Sequence, residues 1–345
     1  MFEHKFRKRR MTLLEAGIIG LGVGEAHITG YNQVPNCVVG ALCDCNTDRL
    51  ESVATSHPGL RLYTSARDLI EDPNVNVVSI ASYDEDHFSQ ICQAISLGKH
   101  VFVEKPLCQS SEELNTIREL LAQNTHVRLS TNLVLRSSPR FTDLRTQISE
   151  GTFGEIYYLE ADYNYGRLSK LVNGWRGKQD YYSVVYGGGV HVIDLLMWLI
   201  NERIVEVSAV GNAISSAGSD FNNMDMVVAT LKFVNGAVGK ISVNFGSMTP
   251  HFHKVAVYGT SASFENRPGA GLIFKSRDPS SAPEKRKTAY PGAEKHALIP
   301  SFLGAILNDE TPIVNENAAF DCMSVCFAIE EAVQKSRIVN VEYPN

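Results

Sequence analysis

The chain has 345 residues, of which 44% are hydrophobic and 20% are charged, and its formal net charge is −6. This length is sufficient for two domains, each with its own core. The acidic balance argues against nucleic acid or an anionic membrane as a partner. No run approaches the ~18 consecutive apolar residues that a membrane-spanning helix needs.

The cysteines and the N-terminus give two further expectations. The seven cysteines form no disulfide framework and no zinc-ligand spacing, so we expect free thiols, a cytoplasmic location and no metal. Residues 1–10 are rich in lysine and arginine and imitate the start of a signal peptide, but Glu15 interrupts the apolar run that follows. We interpret residues 1–10 as a solvated, disordered extension.

Residues 13–26 contain a short apolar run, a cluster of glycines and a segment with helical character. This order is typical of a first βα unit whose turn holds the pyrophosphate of a dinucleotide. We assign Gly20, Gly22, Val23 and Gly24 to that turn. The third glycine of the usual motif is out of place by one residue, so a turn that only needs positive φ remains the alternative.

An acidic residue follows the second predicted strand. Residues 37–43 are apolar, and Asp44 lies about 20 residues beyond the glycines, where a carboxylate can bind the adenine ribose. Because a carboxylate there repels the 2′-phosphate of NADP, we expect NAD as the cofactor. The alternative is an ordinary turn or N-cap residue.

The rest of the chain divides into two regions that differ in their hydrophobic patterns. Through residue 131, apolar strand-like runs alternate with helix-like segments, which predicts a parallel, doubly wound Rossmann sheet over 11–131. Over 132–345, long alternating runs predict an α+β domain with a large, mostly antiparallel open sheet. Within it we expect an apolar helix over 188–200 and a surface loop over 277–292.

Two stretches carry candidate chemistry. Lys105 follows a buried strand and precedes Pro106, so it is held at the carboxyl edge of the sheet, where desolvation lowers a lysine pKa. His191 and Asp194 lie one turn apart on the apolar helix, so Asp194 can fix the imidazole tautomer while His191 accepts a proton. The alternatives are a solvated strand end and a core histidine.

Together these stretches resemble the glucose–fructose oxidoreductase/inositol dehydrogenase/rhizopine-catabolism (Gfo/Idh/MocA) family of NAD(P)-dependent oxidoreductases. The resemblance begins at Leu13 and implies hydride transfer between nicotinamide and a secondary alcohol of a sugar, an inositol or a nucleotide-linked sugar. The motifs that carry it are the glycine turn, Glu104-Lys105-Pro106, residues 132–136, Gly151-x-x-Gly154, Trp175-Arg176 and Gly-x-His191-x-x-Asp194.

The resemblance also implies roles for single residues. Lys105 is implied as the active-site lysine and His191 as the general acid/base, with Asp194 supporting His191 or contacting the substrate. The other implied positions are Ser82, His87 and Glu104 along the cofactor, and Arg136, Trp175 and Arg176 near the nicotinamide and the substrate.

The chain departs from the family pattern at two places. Many members have an aspartate four residues before the histidine, and here that residue is Gly187. The turn over 82–86 also differs from the usual sequence. These departures favour a Lys105/His191 arrangement over an Asp/His pair, and Tyr182 or Tyr186 is a candidate for an additional hydroxyl.

The sequence thus predicts an NAD-dependent dehydrogenase acting on a sugar or nucleotide-linked sugar. Two alternatives stay open: a glycoside hydrolase that uses tightly bound NAD through transient oxidation, and a non-catalytic sensor that binds NAD or sugar. We expect a homodimer or homotetramer formed through the open sheet, and neither nucleic acid nor membrane as a partner.

Overall fold

The computed structural model describes residues 13–343, so the predicted basic extension at 1–10 lies outside the described residues. The strands are β1 (Leu14–Ile19), β2 (Cys37–Cys43), β3 (Arg61–Tyr63), β4 (Val77–Ile80), β5 (His100–Val103), β6 (Leu129–Thr131), β7 (Ile156–Asn164), β8 (Ile204–Asn212), β9 (Met226–Phe233), β10 (Val238–Asn244), β11 (Phe252–Gly259), β12 (Ser263–Asn266), β13 (Gly271–Phe274), β14 (Glu284–Arg286) and β15 (Val339–Asn340). The helices are α1 (Glu25–Asn32), α2 (Thr47–Ser56), α3 (Ala66–Glu71), α4 (His87–Ser96), α5 (Ser111–Gln123), α6 (Pro139–Ser149), α7 (Leu168–Val172), α8 (Val190–Ile200), α9 (Ile299–Asn308) and α10 (Glu316–Lys335).

The first sheet has six parallel strands in the order β3-β2-β1-β4-β5-β6. Its strands are short apolar runs that are buried on both faces, as parallel strands covered by helices require. The strand order changes direction between β1 and β4, and ligands bind doubly wound sheets at the carboxyl ends of the strands at such a point. The predicted Rossmann architecture is confirmed.

The second sheet has nine strands in the order β14-β13-β12-β11-β7-β10-β9-β8-β15. Its neighbouring strands are antiparallel except β7 and β10, which run parallel. Helices α8 and α10 pack against it. The prediction of a mostly antiparallel sheet is therefore confirmed.

Three local features differ from the sequence-based expectations. The predicted surface loop over 277–292 contains the short strand β14, which pairs with β13. The apolar helix begins at Val190, later than expected, because a π-helix over Val185–Gly189 precedes it. Strand β6 lies one to two residues later than the strand-like run over 127–130 that predicts it.

The C-terminal helices connect the two sheets. The ring of Phe302 on α9 lies 5.7 Å from that of Phe102 on β5, and the Ser130 hydroxyl donates to the carbonyl of Val314 at 2.8 Å. The end of the chain thus closes over the outer strands of the first sheet. Between residues 13 and 343, no helix is long and apolar enough to cross a membrane.

Candidate active site

A cavity of about 850 Å³ lies where the carboxyl ends of the first sheet face the second sheet. Both halves of the chain contribute to it. Of the residues that the sequence singled out, the lining includes Gly20, Gly22, Val23, Asp44, Ser82, His87, Glu104, Lys105, Trp175, Arg176, Tyr182 and His191. Gly24, Arg136 and Asp194 are not part of the lining.

The glycine turn fits a dinucleotide. Gly20 has a φ of +81°, and a Cβ there would lie 2.3 Å from the carbonyl oxygen of Ala81, so only glycine fits. A Cβ at Gly22 would meet no atom within 4 Å, which leaves the backbone open toward the cavity. Helix α1 begins directly after the turn, and the positive end of its dipole favours an anion there. Gly24 instead has a packing role, because a Cβ there would lie 2.4 Å from the Gly20 carbonyl oxygen.

The end of β2 holds the same turn in place. Asp44 accepts hydrogen bonds from the backbone N–H groups of Leu21 at 2.8 Å and Asn46 at 2.9 Å. Arg49 donates to the carbonyl of Leu21 through Nη2 at 2.9 Å and also pairs with Glu25. The peptide of Leu21 is thus fixed from both sides beside the cavity, which orders the turn before a ligand binds.

Ser82 and His87 line the cavity beyond β4. The Ser82 hydroxyl donates to the Gln90 side chain at 2.9 Å. His87 Nδ1 lies 2.6 Å from the carbonyl oxygen of Pro106, which can only accept, so Nδ1 carries the proton. The buried Nε2 of His87 has no hydrogen-bond partner among residues 13–343, so it is available as an acceptor.

Lys105 reaches from the end of β5 into the other half of the chain. Its Nζ donates to the carbonyl oxygen of Gly187 at 3.0 Å. Burial lowers the pKa of Lys105, and the charges of Asp84 and Glu104 oppose that change only in part. A lysine in this state can exchange a proton with a hydroxyl group more readily than a solvated one.

Glu104 is buried beside Lys105 and remains ionised. Burial acts to raise its pKa, but hydrogen bonding to His27 and the charges of Lys295 and Lys105 outweigh burial and lower the pKa. The Asn132 side chain donates to Glu104 Oε1 at 2.7 Å. Glu104 therefore supplies a fixed negative charge behind the lysine.

His191 lies in the first turn of α8 and is buried. Burial lowers its pKa well below the usual value, and the nearby charges of Lys105 and Lys295 lower it further. Its imidazole is therefore neutral near pH 7 and can accept a proton. The buried Nδ1 has no hydrogen-bond partner in the described part of the chain.

Asp194 does not hold the His191 ring as the sequence predicted. Its carboxylate instead binds Arg136, with Nε to Oδ2 at 2.9 Å and Nη2 to Oδ1 at 2.6 Å. This bidentate pair lies behind the cavity, and Arg136 also donates to the carbonyl of Ile313 at 3.0 Å. The spacing of three residues suggested a contact between Asp194 and His191. The planar guanidinium of Arg136 instead matches both oxygens of the Asp194 carboxylate.

Tyr182 occupies the space that a side chain at position 187 would fill. A Cβ at Gly187 would lie 1.9 Å from the Tyr182 hydroxyl oxygen. Arg176 Nε donates to that hydroxyl at 2.9 Å, and the ring of Tyr182 packs edge-on against Trp175. The glycine therefore admits the tyrosine hydroxyl beside the residue whose carbonyl accepts from Lys105.

Replacing Gly187 by alanine is expected to lower the free energy of unfolding by about 1–3 kcal/mol, because the added methyl group overlaps Tyr182 and leaves it no free space. Denaturant unfolding measures the change. Gly269→Ala is the matched control, since a Cβ there meets no atom within 4 Å, and it is expected to leave stability within about 0.5 kcal/mol. Equal stability of both variants would contradict the packing at Gly187.

One group of cavity-lining residues was not predicted from the sequence. This group comes from the second sheet and the loop before α9, and its residues are Tyr163, Tyr165, Phe245, His251, His253 and Lys295. Tyr163 and His253 are paired across β7 and β11, and their rings lie 5.2 Å apart. The available signal was the alternation of aromatic residues and histidines with period two on β7 and β11. Within residues 13–343, no group of three His, Cys, Asp or Glu side chains could hold a metal ion.

The fold and the cavity together define an NAD-binding oxidoreductase with a Rossmann domain and a second, sheet-based domain. Comparison with family models agrees in both halves. Residues 14–133 match the oxidoreductase family with an NAD-binding Rossmann fold, and residues 141–265 match the GFO/IDH/MocA C-terminal domain. The chain belongs to the Gfo/Idh/MocA family.

Sequence relatives span most of the chain. It is 27% identical to the uncharacterized oxidoreductase YrbE of Bacillus subtilis, over 95% of this chain and 96% of that one. It is 26% identical to the myo-inositol 2-dehydrogenase of Thermotoga maritima, over 72% and 73% of the two chains. The structure of scyllo-inositol dehydrogenase from Lactobacillus casei with bound NAD(H) and scyllo-inositol superposes with a TM-score of 0.79 at 17% identity, covering 96% of this chain and 99% of that one.

Proposed function

We propose that this protein is an NAD-dependent dehydrogenase that oxidises a secondary hydroxyl group of a sugar or a nucleotide-linked sugar. One observation carries the proposal: Lys105 and His191 come from different halves of the chain and line the same cavity as the glycine turn. Relatives that are named as inositol dehydrogenases support a polyhydroxylated substrate.

The chain's own residues would bind the cofactor along one wall. The turn over 20–24 would hold the pyrophosphate, Asp44 the ribose, and Ser82 and His87 the segment that leads to the nicotinamide. When bound, the nicotinamide supplies the hydride acceptor. Trp175 and Arg176 would enclose that end, because the Arg176 guanidinium lies over the Trp175 ring at 4.6 Å.

Lys105 and His191 would manage the proton. The Lys105 ammonium, aimed by the Gly187 carbonyl, would hydrogen-bond to the reacting hydroxyl and favour its ionisation. The neutral imidazole of His191 would accept the proton that leaves this hydroxyl. Tyr182 would contribute a further hydrogen bond to the substrate, since burial raises its pKa and keeps its hydroxyl protonated.

The direct test is NADH absorbance in the presence of NAD⁺ and a panel of free sugars, inositols and nucleotide-linked sugars. Continuous formation of NADH with one member is expected. A hydrolase that returns its hydride in every turnover would form product without net NADH, and a sensor would bind a sugar without forming product. Cofactor binding is measured separately, and a protein that binds neither NAD⁺ nor NADH would overturn the proposal.

Asp44 is proposed to select NAD over NADP. Replacing Asp44 by alanine is expected to weaken NAD⁺ binding about tenfold, because the ribose contact and the bond to the Leu21 N–H group are lost. The same change is expected to improve NADP⁺ binding, because it removes a negative charge from the position of the 2′-phosphate. Titration of both cofactors by protein fluorescence measures the ratio. Asp48→Ala, on the adjoining helix α2 and outside the cavity lining, is the control and is expected to leave the ratio unchanged.

We also propose a homodimer or homotetramer. Helices α8 and α10 cover one face of the second sheet, while Val210 and Val238 on its strands are 71% and 48% exposed. A second copy of the chain would remove such side chains from water. A light-scattering mass equal to one chain would refute this.

A further inference from the structure

The two halves of the chain form two walls of the cavity, and only the first wall carries acidic side chains, beside the cations Arg49 and Lys105. All of the acidic lining residues precede residue 134: Asp44, Asp84, Asp86 and Glu104. From residue 134 onward the lining contains no aspartate, glutamate, asparagine or glutamine. That second wall presents arginine, lysine, histidine, tyrosine and other aromatic or apolar side chains. We refer to it as the basic wall.

The basic wall is unusual for a neutral sugar. Each hydroxyl group of a sugar is both a donor and an acceptor, so a site for a neutral sugar commonly offers carboxylate or carboxamide oxygens as acceptors. The cationic side chains of the basic wall can only donate. Their natural ligand is an acceptor that carries a negative charge.

Besides Arg176, the basic wall carries two cations, Arg167 and Lys295. Arg167 follows β7, where the backbone of Gly166 comes so close to Thr249 that a Cβ would lie 2.0 Å from its carbonyl oxygen. This contact places Arg167 beside the start of β11, with its guanidinium 5.4 Å from the centre of the Tyr165 ring. The backbone position of Arg167 is thus fixed by the fold of the second sheet, and its exposed side chain lies over the Tyr165 ring.

Lys295 enters the cavity from the loop before α9. Its backbone carbonyl accepts a hydrogen bond from the Asn132 side chain at 2.8 Å, the same side chain that binds Glu104. Lys295 is therefore anchored close to the end of β6. Neither Lys295 nor Arg167 forms an ion pair with any residue over 13–343.

The histidine rings near these two cations are uncharged and provide no counter-charge. The His251 and His253 rings lie 4.9 Å apart, and the His251 ring lies 5.7 Å from that of Tyr165. Burial lowers the pKa of His253 to about 3, with the charges of His251 and Lys295 acting in the same direction. Arg167 therefore faces neutral rings, whereas Lys295 faces the same rings and also lies near the negative charge of Glu104, with which it forms no ion pair.

We propose that the substrate carries an anionic group, either a carboxylate or a phosphate, which binds to Arg167 and Lys295 while its secondary hydroxyl lies at Lys105 and His191. This inference rests on the proposed dehydrogenase function and narrows its substrate to an acidic sugar, a sugar phosphate or a nucleotide-linked sugar. The reaction is balanced: the carbinol C–H gives a hydride to NAD⁺, the O–H gives a proton to the protein, and a ketone and NADH are formed.

The test compares the dissociation constants of matched neutral and anionic probes for the full-length protein with NADH bound. The fluorescence of the bound NADH reports the binding of each probe. The neutral probe is D-glucose. The anionic probes are D-glucuronate, D-glucose 6-phosphate and UDP-glucose, in which the charge comes from a carboxylate, a phosphate ester and a nucleoside diphosphate, respectively. At least one anionic probe is expected to bind about tenfold more tightly than D-glucose. That preference is expected to disappear in Arg167→Gln/Lys295→Gln.

The control variant is Arg277→Gln/Lys287→Gln, which changes the net charge equally at two exposed residues outside the cavity lining and is expected to keep the preference. The proposal is overturned if D-glucose binds as tightly as the anions, if no anion binds, or if both double variants respond alike. Turnover is followed in parallel. An anion preference without NADH formation from any substrate would contradict the dehydrogenase function alone, whereas turnover of neutral sugars without the preference would contradict the anion site alone.

Discussion

Replacing Lys105 by methionine is expected to lower kcat by about 10²–10⁴-fold, the usual contribution of a proton-transferring group. The side chain of methionine fills similar space but cannot donate to a hydroxyl. The free energy of unfolding is expected to change by less than about 1 kcal/mol, because loss of the single bond to the Gly187 carbonyl is offset by the replacement of a partly buried ammonium with an apolar group. Single-turnover formation of NADH and denaturant unfolding measure the two effects on the same preparation.

Lys99 provides the matched control at the opposite end of the same strand. It is 7% exposed, and its Nζ donates to the carbonyls of Asp72 and Val75, the latter at 2.9 Å. Lys99→Met leaves those carbonyls unsatisfied, so the free energy of unfolding is expected to fall by about 1–3 kcal/mol while kcat is retained. If Lys105→Met retained kcat, or lost stability instead, Lys105 would be a structural lysine like Lys99.

The second large effect is expected at the pair of Arg136 and Asp194. Arg136→Met is expected to lower the free energy of unfolding by about 3–5 kcal/mol, because it leaves a carboxylate of 1% exposure without its partner. The loss is expected to shrink as the pH falls. Burial raises the pKa of Asp194 even with Arg136 present, so its protonation in the variant removes the buried charge at moderately acidic pH.

The double variant Arg136→Met/Asp194→Leu is expected to recover most of that stability, since an apolar pair of similar size carries no desolvation cost. Thermal unfolding of the two single variants and the double variant gives the coupling energy. A separate measurement on Asp194→Asn tests the support of His191 that the sequence predicted for Asp194. If Asp194→Asn lost kcat at unchanged stability, the carboxylate would act on His191 and not only on Arg136.

The sequence predicted the fold well because its signals are local. Three short apolar segments are each followed by a residue type with a known role in dinucleotide-binding or catalytic sites. These residues are Gly20 after β1, Asp44 after β2 and Lys105 after β5. The antiparallel half was predicted from alternation along single strands. The parallel pairing of β7 with β10 has no local signal, since it depends on which strands meet across the sheet.

The site was predicted only in part for the same reason. Arg136 and Asp194 are 58 positions apart in the sequence, and His251 is more than 100 positions from Arg136. The contacts of these residues therefore depend on tertiary packing and cannot be predicted from sequence spacing. At Gly187 the sequence showed a missing side chain, but not that the hydroxyl of Tyr182 fills the space. The π-helix before α8, which turns the Gly187 carbonyl toward Lys105, also has no clear sequence pattern.

The origin of all acidic lining residues in the first half of the chain has an evolutionary consequence. Every acidic lining residue precedes position 134, while the cations proposed to read the substrate follow it. Under the proposed assignments, mutations at Arg167 and Lys295 would change the preferred substrate and leave Asp44 and the glycine turn intact, whereas mutations around Asp44 would change the coenzyme preference and leave those two cations intact. Such a division lets one ancestral scaffold diversify by small, independent steps.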